Sequence, residues 1–208
     1  MRTPILIASA AALCAAALVV AQRPQTSQAQ VGQPAPAFTL KDTEGKSHSL
    51  SSFKGKYVVL EWTNHQCPFV VKHYASGNMQ KLQKWAKDKG VVWLTILSSA
   101  PGKQGYLEPA EAKKLMKEQG FQCSAYLFDT DGRVGKAYGA RTTPHMYVID
   151  PKGTLIYMGG IDDKPTANQA DIAGARNHVM EALKEAMAGK AVSVPSTQPY
   201  GCSVKYAD

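Results

Sequence analysis

Cysteine and charge are both scarce in this chain. Of its 208 residues, 44% are hydrophobic, 19% are charged and four are cysteines. Four cysteines are too few for disulfide bonds to stabilise a fold of this length. The chain must therefore fold around a hydrophobic core of its own. The length suits one globular domain with short appendages.

Long apolar runs are also lacking. The run from Pro4 to Val20 is alanine-rich and follows Arg2, but it is short of the about 20 residues that a membrane span needs. This pattern predicts a secretory signal peptide over residues 1–21, with Ala29 as a second candidate cleavage position. The alternative is an uncleaved membrane anchor. Cleavage would leave a periplasmic or secreted protein with no stable membrane association.

Clusters of one charge are missing as well. The formal net charge is +8, yet the lysines are spread out and there is no arginine-rich run. Scattered lysines at helical spacing are typical of solvated helix faces. We therefore do not expect a nucleic-acid partner.

The order of the predicted elements defines the fold class. Residues 22–33 are rich in Gln, Ser and Pro and predict a linker. Residues 34–189 then alternate strands with helices and end in a strand pair and a helix, which predicts an α/β domain with a mixed central sheet flanked by helices. An N-terminal hairpin precedes the alternation, and residues 190–208 read as an extended tail.

Two helical segments carry specific expectations. Pro68 to Lys89 is predicted to be mostly helical, with a kink at Ser76-Gly77. Near the other end, Asn168 is predicted to cap a single helix that runs to about Met187.

Cys67 stands where the apolar segment "YVVLEW" passes into the helix that begins at Pro68. The first turn of a helix presents unpaired amides and the positive end of the helix dipole, which lower the pKa of a thiol. We therefore predict that Cys67 is a reactive nucleophile, with His65 in the preceding loop able to approach its sulfur. The alternative is a buried structural cysteine.

A second motif is Thr143-Pro144, placed just before the strand "HMYVID". An X-Pro bond at the start of a strand is a candidate cis peptide of the kind that faces a partner. The alternative is an ordinary loop proline. Arg141 is either a group that polarises the substrate or a solvated loop residue.

Several segments together resemble the thioredoxin-fold redoxins. These are the opening "VGQPAPAFTL" through "EWTNHQCPFV", then "YLFDTDGRVGKAYGARTTPHMYVID" with "GTLIYMGG", and the terminal "PYGCSVKY". The resemblance covers Val31 to Tyr206 and is to the peroxiredoxin-like group (alkyl hydroperoxide reductase and thiol-specific antioxidant proteins) and to the secreted thiol–disulfide oxidoreductases. It implies a thioredoxin-like fold, a peroxide or disulfide substrate, and a thiol reductant that is a protein or a small molecule. It implies neither a cofactor nor a metal.

The chain departs from both groups. Where the oxidoreductases have Cys-x-x-Cys, Cys67 is followed at the second cysteine position by Val70, and where peroxiredoxins have Thr or Ser three residues before their cysteine, this chain has Asn64. The resemblance to the thioredoxin-fold loop also implies that Pro144 is cis and lies beside Cys67.

A resolving thiol could instead come from the tail. We predict that Cys202 forms a disulfide with oxidised Cys67, with the tail anchored by Tyr200, Val204 and Tyr206. The alternatives are a permanent structural disulfide, or a tail thiol with no role. Cys123 is interpreted as a packing cysteine.

Two other classes of function stay open. Cys67, His65 and His145 are ligand types that would suit copper, although Val71 stands where related copper-delivery proteins have a second cysteine. A non-catalytic binding module would use Asp162–Asp163 as a recognition loop, where the simpler interpretation is a turn.

Overall fold

The computed structural model describes residues 28–207, so the predicted signal peptide and residues 22–27 of the predicted linker lie outside the described residues. The strands are β1 (Thr39–Asp42), β2 (Ser47–Ser49), β3 (Val58–Trp62), β4 (Val92–Leu97), β5 (Ala125–Phe128), β6 (Thr142–Thr143), β7 (His145–Ile149), β8 (Leu155–Gly159) and β9 (Cys202–Ser203). The α-helices are α1 (Pro68–Ala75), α2 (Asn78–Asp88), α3 (Pro109–Glu118), α4 (Arg133–Tyr138) and α5 (His178–Met187).

Seven of the strands form one mixed sheet in the order β2-β1-β5-β4-β3-β7-β8. Strand β4 pairs in parallel with both β3 and β5, whereas β7 is antiparallel to β3 and to β8. The apolar run of β4 is buried along its whole length, as a parallel strand covered on both faces should be. The predicted α/β class, the mixed sheet and the N-terminal β1–β2 hairpin are thus confirmed.

Successive side chains of β3 point to opposite faces of the sheet. They therefore pack into two separate hydrophobic cores, one on each face. Val59 belongs to the core under α1, α2 and α5, and Trp62 belongs to the core on the opposite face. In the second core, Trp62 packs against Tyr138 and Tyr147 with ring centroids 5.3 and 5.1 Å apart.

Strand β3 also carries a buried carboxyl group that the sequence analysis overlooked. Glu61 is fully buried and accepts hydrogen bonds from Trp93, Tyr74, Thr95 and Gln83 at 2.7–3.2 Å. Burial raises the pKa of this carboxyl, although the four hydrogen bonds oppose the shift. These bonds tie α1, α2 and β4 to the strand that leads into Cys67.

A kink was predicted at Ser76-Gly77, and the structure has a full break there into α1 and α2, because Gly77 takes a left-handed φ of 72°. The prediction of one helix from Asn168 to Met187 was wrong. Asn168 caps a 3₁₀ turn over Gln169–Gly174, and α5 begins afresh with Asn177 as its cap, accepting from the amide of Met180. Ala175 between them is extended, so the apolar spacing spanned two short elements.

Both ends of the described chain lie against the domain. Ala29 donates its amide to Ala137 O at 2.9 Å, and Gly32 donates to Leu155 O at 2.8 Å. At the other end, the amide of Thr197 donates to Met158 O at 3.1 Å, so the tail starts along the edge of β8. Within residues 28–207, no helix has both the length and the hydropathy to span a bilayer.

Candidate active site

Cys67 is held at the junction of β3 and α1. It caps α1 with an extended backbone (φ −78°, ψ 123°), and Pro68 takes the first helical position. The amide of Cys67 donates to Asn64 O at 3.0 Å. The Asn64 side chain in turn accepts from the amide of Gln66 at 2.9 Å and donates to Gln104 O at 3.3 Å. The loop before the cysteine is therefore fixed from both sides.

The loop that contains Pro144 lies directly against the sulfur. The Thr143-Pro144 peptide is cis, and the Cys67 thiol donates to Thr143 O at 3.0 Å. The predicted cis bond and the predicted proximity of Pro144 to Cys67 are both confirmed. Thr143 is buried, and with Thr142 it forms the short edge strand β6.

The tail covers this site as an added strand. Strand β9 pairs antiparallel with β6, with Cys202 opposite Thr143. The amide of Cys202 points at the Cys67 sulfur, 3.4 Å away. Both cysteines are thiols in the structure, and Cys67 is 0% exposed. The fold thus brings together the two cysteines that the sequence analysis paired.

The surroundings of the two cysteines shift their pKa values in opposite directions. Burial acts to raise the pKa of Cys67, but hydrogen bonds with the Cys202 and Thr143 side chains, and with the amides of Cys202 and Val70, outweigh it and lower the pKa. Burial, followed by the hydrogen bond with Cys67, raises the pKa of Cys202 to about 11. A thiolate on Cys67 that accepts from a Cys202 thiol is therefore the favoured ionised form.

The remainder of the tail is anchored on both sides of Cys202. Val204 donates its amide to Arg141 O at 3.1 Å, and the Tyr206 hydroxyl donates to Ala140 O at 2.8 Å. Gly201 approaches the cis-proline loop so closely that an added Cβ would lie 2.1 Å from Thr143 O. The predicted anchors Val204 and Tyr206 thus contact the domain.

The third predicted anchor, Tyr200, meets a buried group of charges that the sequence analysis missed. This group, the polar cluster, consists of Lys72, His73 and Asp162. The Tyr200 hydroxyl donates to the Asp162 carboxylate. The signal in the sequence was weak, because Lys72 and His73 sit on a helix with no acidic neighbour to suggest a buried pair.

The other predicted site residues lie apart from the sulfur. His65 lines a small cavity with Val71 and Gln119, and the interactions resolved within residues 28–207 include none between His65 and Cys67. The His65 side chain thus lines the cavity beside α1, and its approach to the sulfur stays a prediction. Arg141 is exposed and meets the tail through its backbone.

Cys123 packs against the core beneath the sheet. Burial raises the pKa of its thiol to about 12, and the charge of Glu61 acts in the same direction. It therefore has the surroundings of a packing cysteine, as the sequence analysis interpreted it.

The ligand set of the copper alternative is not assembled. His145 is buried, and its Nδ1 lies 3.3 Å from the amide of Arg141 and 3.1 Å from the Tyr147 hydroxyl. Across the described part of the chain, no three His, Cys, Asp or Glu side chains are grouped as a metal would require. The Asp162 side chain is buried, so it is not available to contact a partner as the recognition-loop alternative requires.

A cysteine at the first turn of a helix, opposite a cis-proline loop on a mixed sheet, is typical of the thioredoxin fold, which the chain shares with solved thioredoxin domains. The model of the AhpC/TSA family matches residues 31–158. The chain belongs to the AhpC/TSA family, as the resemblance in the sequence predicted.

The similar proteins include named redox proteins. The chain is 29% identical to the thioredoxin-like protein YneN of Bacillus subtilis over 146 residues, which cover 69% of this chain and 80% of YneN. It is 31% identical to the thiol-disulfide oxidoreductase ResA of the same organism over 125 residues, 60% of this chain and 64% of ResA. A crystal structure of an uncharacterized conserved protein from Geobacillus kaustophilus superposes with a TM-score of 0.73 at 28% identity, covering 86% of this chain and 93% of that one.

Proposed function

We propose that the protein carries out thiol–disulfide exchange, with Cys67 as the nucleophile and Cys202 as the resolving thiol. The observation that carries this proposal is the docked tail strand, which directs the Cys202 amide at the Cys67 sulfur from 3.4 Å. The lowered pKa of Cys67 supports it, and so do the names of the relatives, a thioredoxin-like protein and a thiol-disulfide oxidoreductase.

The chemistry balances with the groups present. The Cys67 thiolate attacks one sulfur of a substrate disulfide, which forms a mixed disulfide and releases the other substrate sulfur as a thiolate. Cys202 then loses its proton and attacks the Cys67 sulfur. The second substrate thiolate leaves, and the Cys67–Cys202 disulfide forms. The substrate gains two electrons and the protein dithiol loses them, so a thiol reductant, a protein or a small molecule, must restore the dithiol.

The cis-proline loop supplies the binding edge. Strand β6 now pairs with the tail, so an extended substrate chain would use the same edge after the tail has moved aside. In this proposal Thr143 and Pro144 hold the substrate backbone. The amide of Val70 stabilises the thiolate throughout, and the amide of Cys202 does so while the tail is docked. His65 has no role in it.

Peroxide reduction is a second candidate, favoured by the burial of Cys67. A sulfur with no exposed surface admits a small oxidant more readily than the disulfide of a folded protein. Here the thiolate would attack a peroxide oxygen, take one oxygen as a sulfenic acid and release water or an alcohol after protonation. Condensation of the sulfenic acid with the Cys202 thiol would then form the disulfide and release a second water.

We place this reaction outside the cytoplasm, because residues 1–21 have the pattern of a signal peptide. The proposed organisation is a signal peptide (1–21), a linker (22–33), a thioredoxin-like domain (34–189) and a tail (190–208). We propose neither a nucleic-acid partner nor stable membrane association.

The test compares the wild type with Cys67→Ser and Cys202→Ser, each given either glutathione disulfide or hydrogen peroxide. Mass spectrometry after thiol alkylation reads the state of every cysteine. We expect a Cys67–Cys202 disulfide in the wild type and no reaction in Cys67→Ser. Cys202→Ser should accumulate glutathionylated Cys67 with the first oxidant and oxidised Cys67 with the second. At low oxidant concentration, where the rate is proportional to that concentration, the faster oxidant identifies the substrate class.

Two outcomes would reject the proposal. One is a purified protein in which the Cys67–Cys202 disulfide resists a thiol reductant, because the bond would then be structural. The other is a Cys67→Ser variant that consumes either oxidant as fast as the wild type. Cys123→Ser is the matched control, and it should behave as the wild type does.

A further inference from the structure

We infer that Tyr200, held by the polar cluster, is the positioning residue that sets Cys202 over Cys67. The inference rests on the proposed function, in which Cys202 resolves Cys67. Tyr200 acts through the tail, two residues before Cys202, and does not touch the reacting sulfurs.

Tyr200 makes three kinds of contact with the domain. Its hydroxyl donates to the Asp162 carboxylate and lies 3.4 Å from His73 Nε2. The ammonium of Lys72 lies 5.7 Å from the ring centroid, within range of a cation–π contact. The ring of Phe69 meets the Tyr200 ring edge-on, with centroids 5.9 Å apart. Among the described residues, no other side chain of the tail combines a hydroxyl hydrogen bond, a cation–π contact and a contact with an aromatic ring.

The polar cluster is buried, and burial lowers the pKa of His73 to about 4. The side chains of Lys72 and His73 are 0% exposed and that of Asp162 is 2% exposed. Lys72 and His73 each place a nitrogen 3.8 Å from Asp162 Oδ2, and Lys72 donates to Lys164 O at 2.8 Å. Because buried charges are destabilising unless hydrogen-bonded, the Tyr200 hydroxyl matters to Asp162. Asp162 Oδ1 accepts from this hydroxyl and from the amide of Lys164, so a displaced tail would remove one of its two donors.

This contact fixes the register of the tail. The side chains of Tyr200 and Cys202 both pack on the core that contains Cys67, and the Tyr200 ring meets Phe69 there. A slip of one residue in an added strand exchanges the side chains on the two faces. Such a slip would carry Cys202 away from the sulfur and lift the Tyr200 hydroxyl off Asp162, so the hydrogen bond selects the productive register.

The arrangement predicts opposite effects on the two chemical steps. While the tail is docked, it shields reduced Cys67, so weaker docking should speed the first attack on an external disulfide. Once Cys67 carries an adduct, the same docking delivers Cys202, so weaker docking should slow resolution.

The experiment uses 5,5′-dithiobis(2-nitrobenzoate), an aromatic disulfide, on the full chain in a Cys123→Ser background. Attack by Cys67 releases a first coloured thiolate and leaves a mixed disulfide, and attack by Cys202 on the Cys67 sulfur releases the second. For Tyr200→Phe, which keeps the ring and removes the hydroxyl, we expect the first release to be about tenfold faster and the second to be slower by up to about tenfold. This is the change that corresponds to one hydrogen bond to a charged group.

Asp162→Asn is the independent variant and should shift both steps in the same directions, which keeps the test valid if Tyr200→Phe folds poorly. Asp163→Asn, the exposed neighbour, is the control and should stay within about twofold of the reference protein.

The outcomes separate this inference from the proposed function. If the reference protein gives no second release, the proposed function fails and this inference fails with it. If it gives both releases but Tyr200→Phe and Asp162→Asn leave both rates within about twofold, only the positioning role is wrong. Acceleration of both steps, or slowing of both, would indicate general loosening of the fold and would also overturn it.

Discussion

The substitution Gly201→Ala tests whether the tail is what covers Cys67. Gly201 has a φ of +132°, and a Cβ at this position would lie 2.1 Å from the carbonyl oxygen of Thr143. That oxygen belongs to the backbone of the cis-proline loop, so no side-chain rotation can relieve the overlap. Either the tail or the loop must move by roughly 1.3–1.9 Å to reach an ordinary contact distance.

The backbone conformation alone gives a lower limit for the effect. A non-glycine residue in a sparsely populated backbone region is destabilised by about 1–3 kcal/mol, which corresponds to a factor of about 5–150 in the docking equilibrium of the tail. The steric overlap adds to this figure. We therefore expect the fraction of molecules with an undocked tail to rise at least about tenfold.

The assay is the alkylation rate of each cysteine by iodoacetamide at neutral pH, read by peptide mass spectrometry. If the sulfur reacts only when the tail is open, its rate follows the open fraction. Cys67 in Gly201→Ala should then react at least about tenfold faster than in the wild type. Cys123 in the same molecules reports any general loosening of the fold.

The matched control is Gly153→Ala. Gly153 has a φ of +90° but has no atom within 4 Å of an added Cβ, so it carries the same kind of backbone strain without the overlap. A Cys67 rate in Gly201→Ala that equals the wild-type rate would refute the reasoning. Equal acceleration in Gly201→Ala and Gly153→Ala would show that strain, and not release of the tail, exposes the sulfur.

Two further outcomes follow from the buried groups. Because burial raises the pKa of Cys123 to about 12, Cys123 should remain the slowest of the three described cysteines to alkylate at pH 7–8, and a Cys123 rate above that of Cys67 would contradict the site assignment. Burial also raises the pKa of Glu61 above its ordinary value of 4.5, so this group contributes stability that is fully present below pH 4.5 and is lost as the pH rises through the folded-state pKa. Thermal unfolding followed from pH 4 to pH 8 should therefore show a weaker pH dependence in Glu61→Gln than in the wild type, and identical slopes would count against a raised pKa.

The local pattern of the chain predicted the framework of the site well. The apolar run that ends at Trp62, followed by Cys67 and Pro68, marked the junction of strand and helix, because proline fits the first helical turn. Likewise Thr143-Pro144 before a strand marked the cis bond. These features depend on a few neighbouring residues, so the sequence displays them directly.

The interactions across long separations were harder to predict. Lys72 and Asp162 are 90 positions apart in the sequence. The residues around each of them do not predict that the two side chains lie close together. The helix predicted from Asn168 failed for a related reason. Apolar residues on either side of the extended Ala175 have the spacing of one helix, but packing on the sheet divides them between a 3₁₀ turn and α5.

His65 shows the limit of proximity in sequence. It lies two residues before Cys67, yet its ring faces the cavity beside Val71. Cys202 lies far along the chain and reaches the sulfur, because the tail adds to the edge of β6. The pairing of β9 with β6, and not distance along the chain, decides which group contacts the Cys67 sulfur.

The complete burial of Cys67 sets a ceiling on its reaction rate. A sulfur with no exposed surface meets an external reagent only after the covering strand has opened, so opening precedes every encounter. At low reagent concentration the observed rate is proportional to that concentration. At high concentration it reaches a plateau that equals the opening rate of the strand and no longer depends on which oxidant is present. The tail thus gives oxidants of very different intrinsic reactivity the same maximum rate, and the height of that plateau is a property of this chain alone.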